Sequence, residues 1–301
     1  MSDSVTVVEV GPRDGLQNEK QTVALADKIA LIDRLGEAGL SVIEAGAFVS
    51  AKWVPQMADS AAVLAGIERR KGVRYAVLVP NMQGYAAAKA AGVDEVNVFT
   101  AASETFNKRN INASIAESLE RLRPVCAAAK ADGLRLRASV STVMGCPYEG
   151  AVPVAKVVEV CEALRALGAD EISLGDTIGV GTAGQARALI RTLAQSIPLS
   201  VLAAHFHDTY GQALANVLAC LEEGVRVVDS SVAGLGGCPY AKGATGNLAT
   251  EDLVYMLDGL GFETGIDLEK LIDVAAFISE RLGRAPVSRV ARAKLAKRQA
   301  A

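Results

Sequence analysis

The fold class can be inferred from residues 135–176, which read RLRASVSTVMGCPYEGAVPVAKVVEVCEALRALGADEISLGD. The β-branched runs at the two ends, Arg135–Thr142 and Glu171–Asp176, are typical of buried strands. Between them, Val152–Leu167 is rich in alanine and leucine and has a helical period. A strand, a helix and a second strand in this order predict two parallel strands joined by a crossover helix.

The same unit recurs along the chain about every 30 residues, which is the usual size of one strand–helix step. Six further strands are predicted, at Val5–Val10, Ser41–Ala45, Arg74–Val79, Glu95–Thr100, Leu199–Asp208 and Arg226–Ala233. Four further helices are predicted, at Leu25–Ala38, Ser114–Ala131, Thr182–Ile197 and Gly211–Glu223. Eight such steps can close into a (β/α)8 TIM barrel of about 250 residues.

An open, doubly wound sheet is the main alternative, but it usually carries a glycine-rich phosphate-binding turn after its first strand. Here the first strand is followed by Gly-Pro-Arg-Asp-Gly at residues 11–15, which does not match that turn. We therefore predict one catalytic domain over residues 1–301, with a TIM barrel at about residues 5–260 and a helical C-terminal extension at about residues 261–301. The long polar stretch at residues 100–121 is interpreted as an extended loop.

The composition excludes several classes of function. The chain has 301 residues, of which 50% are hydrophobic, and a net charge of −3. Because there is no basic excess, nucleic acid is not an expected partner. No apolar run approaches the roughly 20 residues that span a bilayer, so no membrane association is expected. The cysteines number five and are scattered, which does not suggest a disulfide framework, and we expect a cytoplasmic protein.

The two histidines of the chain, His205 and His207, stand two residues apart near the end of the seventh predicted strand. Residues two apart on a strand face the same side, so both imidazoles would lie together. Imidazole is the commonest metal ligand, and the pair therefore indicates a metal site. The alternative is two hydrogen-bonded histidines in the core.

Arg13 and Asp14 follow the first strand, between Gly11 and Gly15. The active sites of TIM barrels are built where the strands end, so this charged pair lies where chemistry is expected. Asp14 could supply an oxygen ligand to a metal, and Arg13 could stabilise developing negative charge. A local ion pair between the two is the alternative.

Two further acidic residues are predicted on the same rim, Glu44 at the end of the second strand and Asp176 at the end of the sixth. Both are candidates for contact with substrate or metal. Acidic side chains at strand ends also hold arginines in place, so an orienting role is the alternative for each.

The loop after the eighth strand has five glycines within residues 234–246. Ordinary turns need one or two, and so many glycines favour a loop that closes over substrate. Cys238 stands in this loop, where its thiol could transfer a proton, although an incidental cysteine is the alternative. Asn247 ends the loop, either as a helix-entry residue or as an amide ligand to the metal.

These motifs resemble those of the 3-hydroxy-3-methylglutaryl-CoA lyases over nearly the whole chain. The matching stretches are VGPRDGLQNE at residues 10–19, FVSAKWVPQM at residues 48–57 and SVAGLGGCPY at residues 231–240. A wider group of barrel enzymes, which includes 2-isopropylmalate and homocitrate synthases and hydroxy-oxo-acid aldolases, shares the Arg-Asp and His-x-His elements. The glycine–cysteine loop favours the lyase. The chain departs from the family at residues 45–47, where Ala-Gly-Ala replaces a Thr-Thr-Ser-like stretch of the animal enzymes.

The resemblance implies an enzyme of leucine degradation that cleaves an acyl-CoA substrate, 3-hydroxy-3-methylglutaryl-CoA, to acetyl-CoA and acetoacetate. It implies a homodimer and a divalent cation, Mg2+ or Mn2+, whose ligands are Asp14, His205, His207 and Asn247. In this reading Arg13 contacts the thioester carbonyl, Cys238 transfers a proton, and Glu44 and Asp176 lie on the substrate side. The hydroxyl proton would pass to Asp14 or His207. A related synthase that condenses acetyl-CoA with a 2-oxo acid, or an aldolase, is the alternative.

Overall fold

The computed structural model describes residues 4–237 and 246–300. Eight parallel strands form a closed barrel in the order in which they occur along the chain, and β1 pairs with β8 so that Thr6 lies opposite Val227. The strands are β1 (Thr6–Glu9), β2 (Val42–Ala47), β3 (Arg74–Leu78), β4 (Glu95–Ala101), β5 (Arg135–Ser141), β6 (Glu171–Asp176), β7 (Leu202–Phe206) and β8 (Val227–Ser230). The predicted TIM barrel is confirmed.

Helices connect the strands and continue after the last one. They are α1 (Leu25–Glu37), α2 (Ser60–Gly66), α3 (Met82–Ala90), α4 (Glu104–Ile111), α5 (Ile115–Ala131), α6 (Val154–Ala166), α7 (Ala183–Leu193), α8 (Ala213–Glu222), α9 (Thr250–Gly259), α10 (Leu268–Arg281) and α11 (Arg289–Gln299). The predicted C-terminal helical segment is therefore present, and α10 packs against α1. Within the described residues, every helix is too short or too polar to traverse a lipid bilayer.

The prediction of an extended loop at residues 100–121 is wrong. This stretch contains α4 and the first turns of α5. The Ser103 hydroxyl accepts the backbone N–H of Phe106 at 3.1 Å, which starts α4, and Ser114 forms a reciprocal capping box with Glu117 at the start of α5. Because α4 is largely polar, it lacks the apolar period by which helices are predicted.

The seventh strand is shorter than predicted at both ends. Leu199–Val201 forms a single helical turn after Pro198, and β7 begins only at Leu202. His205 lies within β7, whereas His207 lies just beyond it and bridges to Asn247 in an antiparallel arrangement. The two histidines are therefore placed by different local structures.

The interior of the barrel is polar. Arg137 of β5 contacts Asp229 of β8, and Glu44 of β2 contacts Asn97 of β4. Because neither pair belongs to neighbouring strands, both contacts cross the inside of the barrel. The intervening apolar side chains, such as Leu136 between strand positions 135 and 137, point outward into the main hydrophobic core under the helices. Barrel interiors are more often filled with branched apolar side chains, so these buried polar groups need a physical explanation.

Candidate active site

A tight turn after β1 presents Arg13 and Asp14 to the mouth of the barrel. A Cβ atom on Gly15 would lie 2.7 Å from the Leu235 side chain and 2.8 Å from the Ser231 hydroxyl, so only glycine lets this turn approach β8 so closely. Arg13 Nη1 contacts Asp14 Oδ1 at 2.7 Å, and the Arg13 side chain is almost fully buried. The local ion pair expected as the alternative for these residues therefore exists, but the pair has further partners.

Glu44 fixes the other side of the Arg13 guanidinium. Its Oε2 lies 2.7 Å from Arg13 Nε and 2.6 Å from Arg13 Nη2, while its Oε1 accepts a hydrogen bond from Asn97 at 2.9 Å. Glu44 is 1% exposed. Its oxygens thus hold the arginine rather than point freely into the barrel mouth.

Asp14, His205 and His207 lie close together. Arg13 contacts Oδ1 of Asp14, whereas His205 Nε2 lies 4.0 Å from the other oxygen, Oδ2. One potential ligand atom from each lies within 4.8 Å of the other two, and the imidazole centroids of the histidines are 5.6 Å apart. Asn247 joins this group, because its Nδ2 donates to Asp14 Oδ2 at 2.8 Å. The structure therefore brings together the four residues that the sequence singled out as metal ligands.

The chemistry of this group fits a divalent cation. Ligands about 2.1–2.3 Å from a common ion lie roughly 3–4.5 Å from each other, which is close to the spacing of these three side chains. A carboxylate and two imidazoles, with an amide beside them, are ligand types by which proteins hold divalent cations.

The electrostatics of the group keep its carboxylate ionised. Burial alone would raise the pKa of Asp14, but Arg13 and the two histidines outweigh it and lower that pKa to about 2. For His205, burial alone would lower the pKa, but the hydrogen bond and the negative charge of Asp229 raise it above its ordinary value. Asp14 is thus a charged oxygen ligand at any pH near neutrality.

Asp176 lies beneath the site and bonds to its own turn. Its carboxylate accepts the backbone N–H groups of Val180 at 3.2 Å and Gly181 at 2.8 Å, and its backbone oxygen accepts the N–H of His207 at 3.3 Å. Burial raises its pKa above the ordinary value. These contacts support the orienting role that was the alternative for Asp176.

Cys238 lies outside the described residues, but the two ends of its loop meet at the site. Gly236 has a φ of +115°, and a Cβ atom there would lie 2.9 Å from Asn247 Nδ2. A Cβ atom on Gly246 would lie 2.6 Å from the backbone oxygen of Gly234. The loop therefore leaves the barrel and returns to it beside Asn247 and Asp14.

Sequence reasoning missed two polar residues that support the site, Asp229 inside the barrel and Glu9 on the outer side of β1. Asp229 contacts His205, and Glu9 accepts the backbone N–H groups of Gly11 at 2.7 Å and Val232 at 2.9 Å. Both are acidic residues inside otherwise β-branched strands. A charge in a strand buried on both faces was the signal that could have identified them.

Comparison with known proteins gives consistent matches over the whole chain. Residues 4–278 match the family model described as HMGL-like. The chain is 59% identical to the 3-hydroxy-3-isohexenylglutaryl-CoA/hydroxy-methylglutaryl-CoA lyase of Pseudomonas aeruginosa over 97% of this chain and 98% of that protein. The crystal structure of hydroxymethylglutaryl-CoA lyase from Pseudomonas aeruginosa superposes with a TM-score of 0.96, at 58% identity, and covers 99% of each chain. An HMG-CoA lyase from Acinetobacter baumannii, in complex with coenzyme A and 3-methylmalate, superposes with a TM-score of 0.94 at 38% identity, over 97% of this chain and 96% of that one.

Proposed function

The chain belongs to the HMGL-like family, and from this premise we propose that it is a divalent-metal-dependent carbon–carbon lyase. It cleaves 3-hydroxy-3-methylglutaryl-CoA to acetyl-CoA and acetoacetate. The observation that carries the chemistry is the grouping of Asp14, His205 and His207 beside the Arg13 guanidinium. Such a site places a cation and a fixed positive charge within reach of one substrate.

The reaction is a retro-Claisen cleavage with two proton transfers. The hydroxyl on C3 loses its proton, the C2–C3 bond breaks, and C3 becomes the ketone of acetoacetate. The electron pair of the broken bond passes to C2 as the enolate of acetyl-CoA, and C2 then takes a proton. The protein must therefore supply a base, charge stabilisation for the enolate oxygen and an acid.

We propose that Asp14, His205, His207 and Asn247 hold the cation, as Mg2+ or Mn2+. When bound there, it would orient the substrate and make its hydroxyl more acidic. Arg13 is held by Glu44 and Asp14, so its charge is fixed in place before the enolate forms. A preorganised charge of this kind stabilises an oxyanion at no cost in reorganisation.

For the base, the candidates are Asp14 and His207. A carboxylate with a pKa of about 2 is a poor proton acceptor, which weighs against Asp14. His207 could act as the base only while its basic nitrogen does not hold the cation. For the acid that protonates C2, the candidate is Cys238, whose loop begins and ends beside Asn247. Glu44 and Asp176 remain predicted to lie on the substrate side, and their contacts support an action through Arg13 and through the turn at residues 176–181.

Further features of the proposal concern the whole molecule. The acyl-CoA substrate is supported by the relative that was crystallised with coenzyme A. The proposal that barrel and C-terminal helices form one catalytic unit is supported by Val287, whose N–H binds the backbone oxygen of Ala233 beside the glycine loop.

We also propose a homodimer, to be tested by light scattering. The cytoplasmic location, supported by the four free, buried cysteines of the described residues, can be tested by cell fractionation.

Product analysis tests the direction of the reaction. Purified protein with Mg2+ should release acetoacetate and acetyl-CoA from 3-hydroxy-3-methylglutaryl-CoA. It should release no free CoA from acetyl-CoA mixed with 2-oxoisovalerate, 2-oxoglutarate or pyruvate. Free CoA from any of these mixtures would identify the alternative, a condensing synthase.

Cys238→Ser tests the proposed acid. Because a hydroxyl is a far weaker acid than a thiol, the variant should lose most of the cleavage rate. It should keep its affinity for Mn2+, since the thiol is not a proposed ligand. A fully active serine variant would remove Cys238 from the mechanism.

A further inference from the structure

A chain of buried polar contacts runs inside the barrel directly beneath His205. His205 and Asp229 are paired positions on the neighbouring strands β7 and β8, so their side chains lie side by side. His205 Nδ1 lies 3.0 Å from Asp229 Oδ2. Asp229 is not one of the proposed metal ligands, and it takes no part in the proposed proton transfers.

Both oxygens of Asp229 are engaged. Oδ1 accepts from Arg137 Nη2 at 2.5 Å, and Oδ2 accepts from the Ser173 hydroxyl at 2.8 Å in addition to His205. Each oxygen accepts from a donor, and the group pairs with the Arg137 guanidinium, which is the arrangement of a carboxylate. A carboxylate only accepts hydrogen bonds, and the hydrogen in the contact with His205 therefore belongs to Nδ1.

This contact determines which nitrogen of His205 is available. With the hydrogen on Nδ1, the lone pair of the neutral ring is on Nε2, which lies 4.0 Å from Asp14 Oδ2 on the side of the proposed cation. Hydrogen bonding of the remote nitrogen to a carboxylate is the usual way in which proteins orient an imidazole ligand and increase its basicity. Ser173 and Arg137 in turn prevent the carboxylate from rotating.

Arg137 is itself fixed from the other side. It is 2% exposed, and its Nε lies 2.9 Å from Glu171 Oε1. An arginine between two carboxylates offers a planar fork that holds both in one geometry, which lysine cannot do. The orientation of His205 on β7 thus depends, through Asp229 of β8, on Arg137 of β5 and on Ser173 and Glu171 of β6.

We propose that Asp229, held by Arg137 and Ser173, is the positioning residue that orients His205 Nε2 toward the cation. The inference rests on the proposed metal site and adds to it three residues that do not touch the substrate. Loss of Asp229 should weaken binding of the cation even in a fully folded protein. A purely structural role for the same contacts would alter stability and leave the affinity of the folded protein unchanged.

Metal titration of the full-length protein separates the two roles. Mn2+ binding, followed by electron paramagnetic resonance of the free ion, should show a Kd about 10–100-fold higher in Asp229→Asn than in the wild type. Arg137→Lys keeps the charge but loses the fork, and we expect a Kd about tenfold higher. Ser173→Ala removes one hydrogen bond and should raise Kd by about fivefold or less.

Arg135→Gln is the matched control. Arg135 lies two residues before Arg137 on β5, and its Nη2 is 2.9 Å from the same Glu171. Its other partner is Glu95, so it is two contacts further from Asp229 than Arg137 is. This variant should bind Mn2+ within about twofold of the wild type. The visible spectrum of bound Co2+, which reports the ligand geometry, should change in Asp229→Asn and stay the same in the control.

The results distinguish a failure of the proposed role of Asp229 from a failure of the proposed metal site. A wild-type protein that binds no Mn2+ would overturn the metal site and this inference together. A wild-type protein that binds Mn2+, with an Asp229→Asn variant of equal Kd and unchanged Co2+ spectrum, would overturn only the inference. If Arg137→Lys fails to fold, the near-isosteric Asp229→Asn, which leaves Arg137 paired with Glu171, decides the question.

Discussion

Two ionic clusters lie at different levels of the same barrel, and they differ in charge balance. At the amino ends of the strands and across the interior, three arginines face three carboxylates: Arg74, Arg135 and Arg137 with Glu95, Glu171 and Asp229. At the carboxyl ends, a single arginine, Arg13, faces two carboxylates, Asp14 and Glu44.

Burying an uncompensated charge is costly, so the difference is informative. The first group of six residues, here called the lower cluster, has equal numbers of positive and negative charges and needs no ion from solution. The upper cluster, defined by Arg13, Asp14 and Glu44, has one negative charge in excess, and two histidines stand beside it. A bound divalent cation would more than offset this excess.

Removing an imidazole from the upper cluster should have the largest effect. His205→Ala or His207→Ala takes away a proposed ligand, and we expect turnover to fall by at least about 1000-fold with a large loss of Mn2+ affinity. Calorimetric titration and a cleavage assay measure the two effects, with circular dichroism as the check on folding. Unchanged affinity in both variants would remove the histidines from the site.

Removing the arginine from the upper cluster should reduce turnover less, and it should not weaken the binding of Mn2+. Arg13→Gln should lower kcat by about 100–1000-fold because the enolate loses its fixed charge, with little change in KM. Affinity for Mn2+ should hold or increase, since two carboxylates are left unopposed. A variant with near-normal kcat would mean that Arg13 only supports the turn.

Within the lower cluster, Glu95 contacts neither Asp229 nor a proposed ligand, and its loss should affect stability alone. Glu95 is fully buried, and its Oε2 lies 3.0 Å from both Arg74 Nε and Arg135 Nε. Glu95→Gln leaves Arg74 without its charged partner and Arg135 with Glu171 alone. Because both arginines are partly exposed to solvent, we expect a loss of about 1–2 kcal/mol in the free energy of unfolding. Urea denaturation measures this loss. A matching change in Mn2+ affinity would show that Glu95 acts on the metal site as well.

A pair of buried glutamates differs from both clusters, because neither glutamate has an arginine among its described contacts. Glu9 accepts from two backbone N–H groups and from the Thr250 hydroxyl at 2.7 Å, and Glu251 accepts the N–H of Ala233 at 2.8 Å. Burial, against these hydrogen bonds, raises the pKa of Glu9 to about 7 and that of Glu251 to about 8. Here protonation, rather than a cation, offsets the charge.

This pair predicts the smallest effect, a slope of stability with pH. Folded pKa values above the unfolded value of about 4.5 mean that the folded state binds more protons, so stability falls as pH rises from about 4.5 to about 8. Glu251→Gln keeps the acceptor for Ala233 and should reduce the slope by at most about 1.4 kcal/mol per pH unit. Thermal unfolding between pH 5 and 9 tests this, and an unaltered slope would argue against a protonated Glu251.

The sequence was sufficient for the barrel because the strands contain β-branched apolar residues at regular intervals along the chain, separated by segments with a helical period. It failed where local hydrogen bonding decides, as at Ser103 and Ser114, which cap two helices in a polar stretch. The helix starting at Glu104 has no apolar stripe by which it could have been predicted.

For the candidate site, motifs identified the residues at the barrel mouth but not those beneath it. Arg13 and Asp14, like His205 and His207, are close in sequence and stand out together. Arg137 and Asp229 are 92 residues apart and meet only across the closed barrel. Contacts of that kind depend on strand order and register, which single-sequence patterns do not encode.

The hydrogen bond from Asn247 to Asp14 joins residues 233 positions apart, at the two ends of the barrel sequence. During synthesis, Asp14 leaves the ribosome early and waits until β8 and the following loop have emerged before its site can exist. No shorter nascent chain holds the four proposed ligands, so the ion would act as a clasp that closes only on the finished barrel. At a free concentration 100 times its Kd, such a clasp would add about 2.7 kcal/mol to the stability of the closed chain.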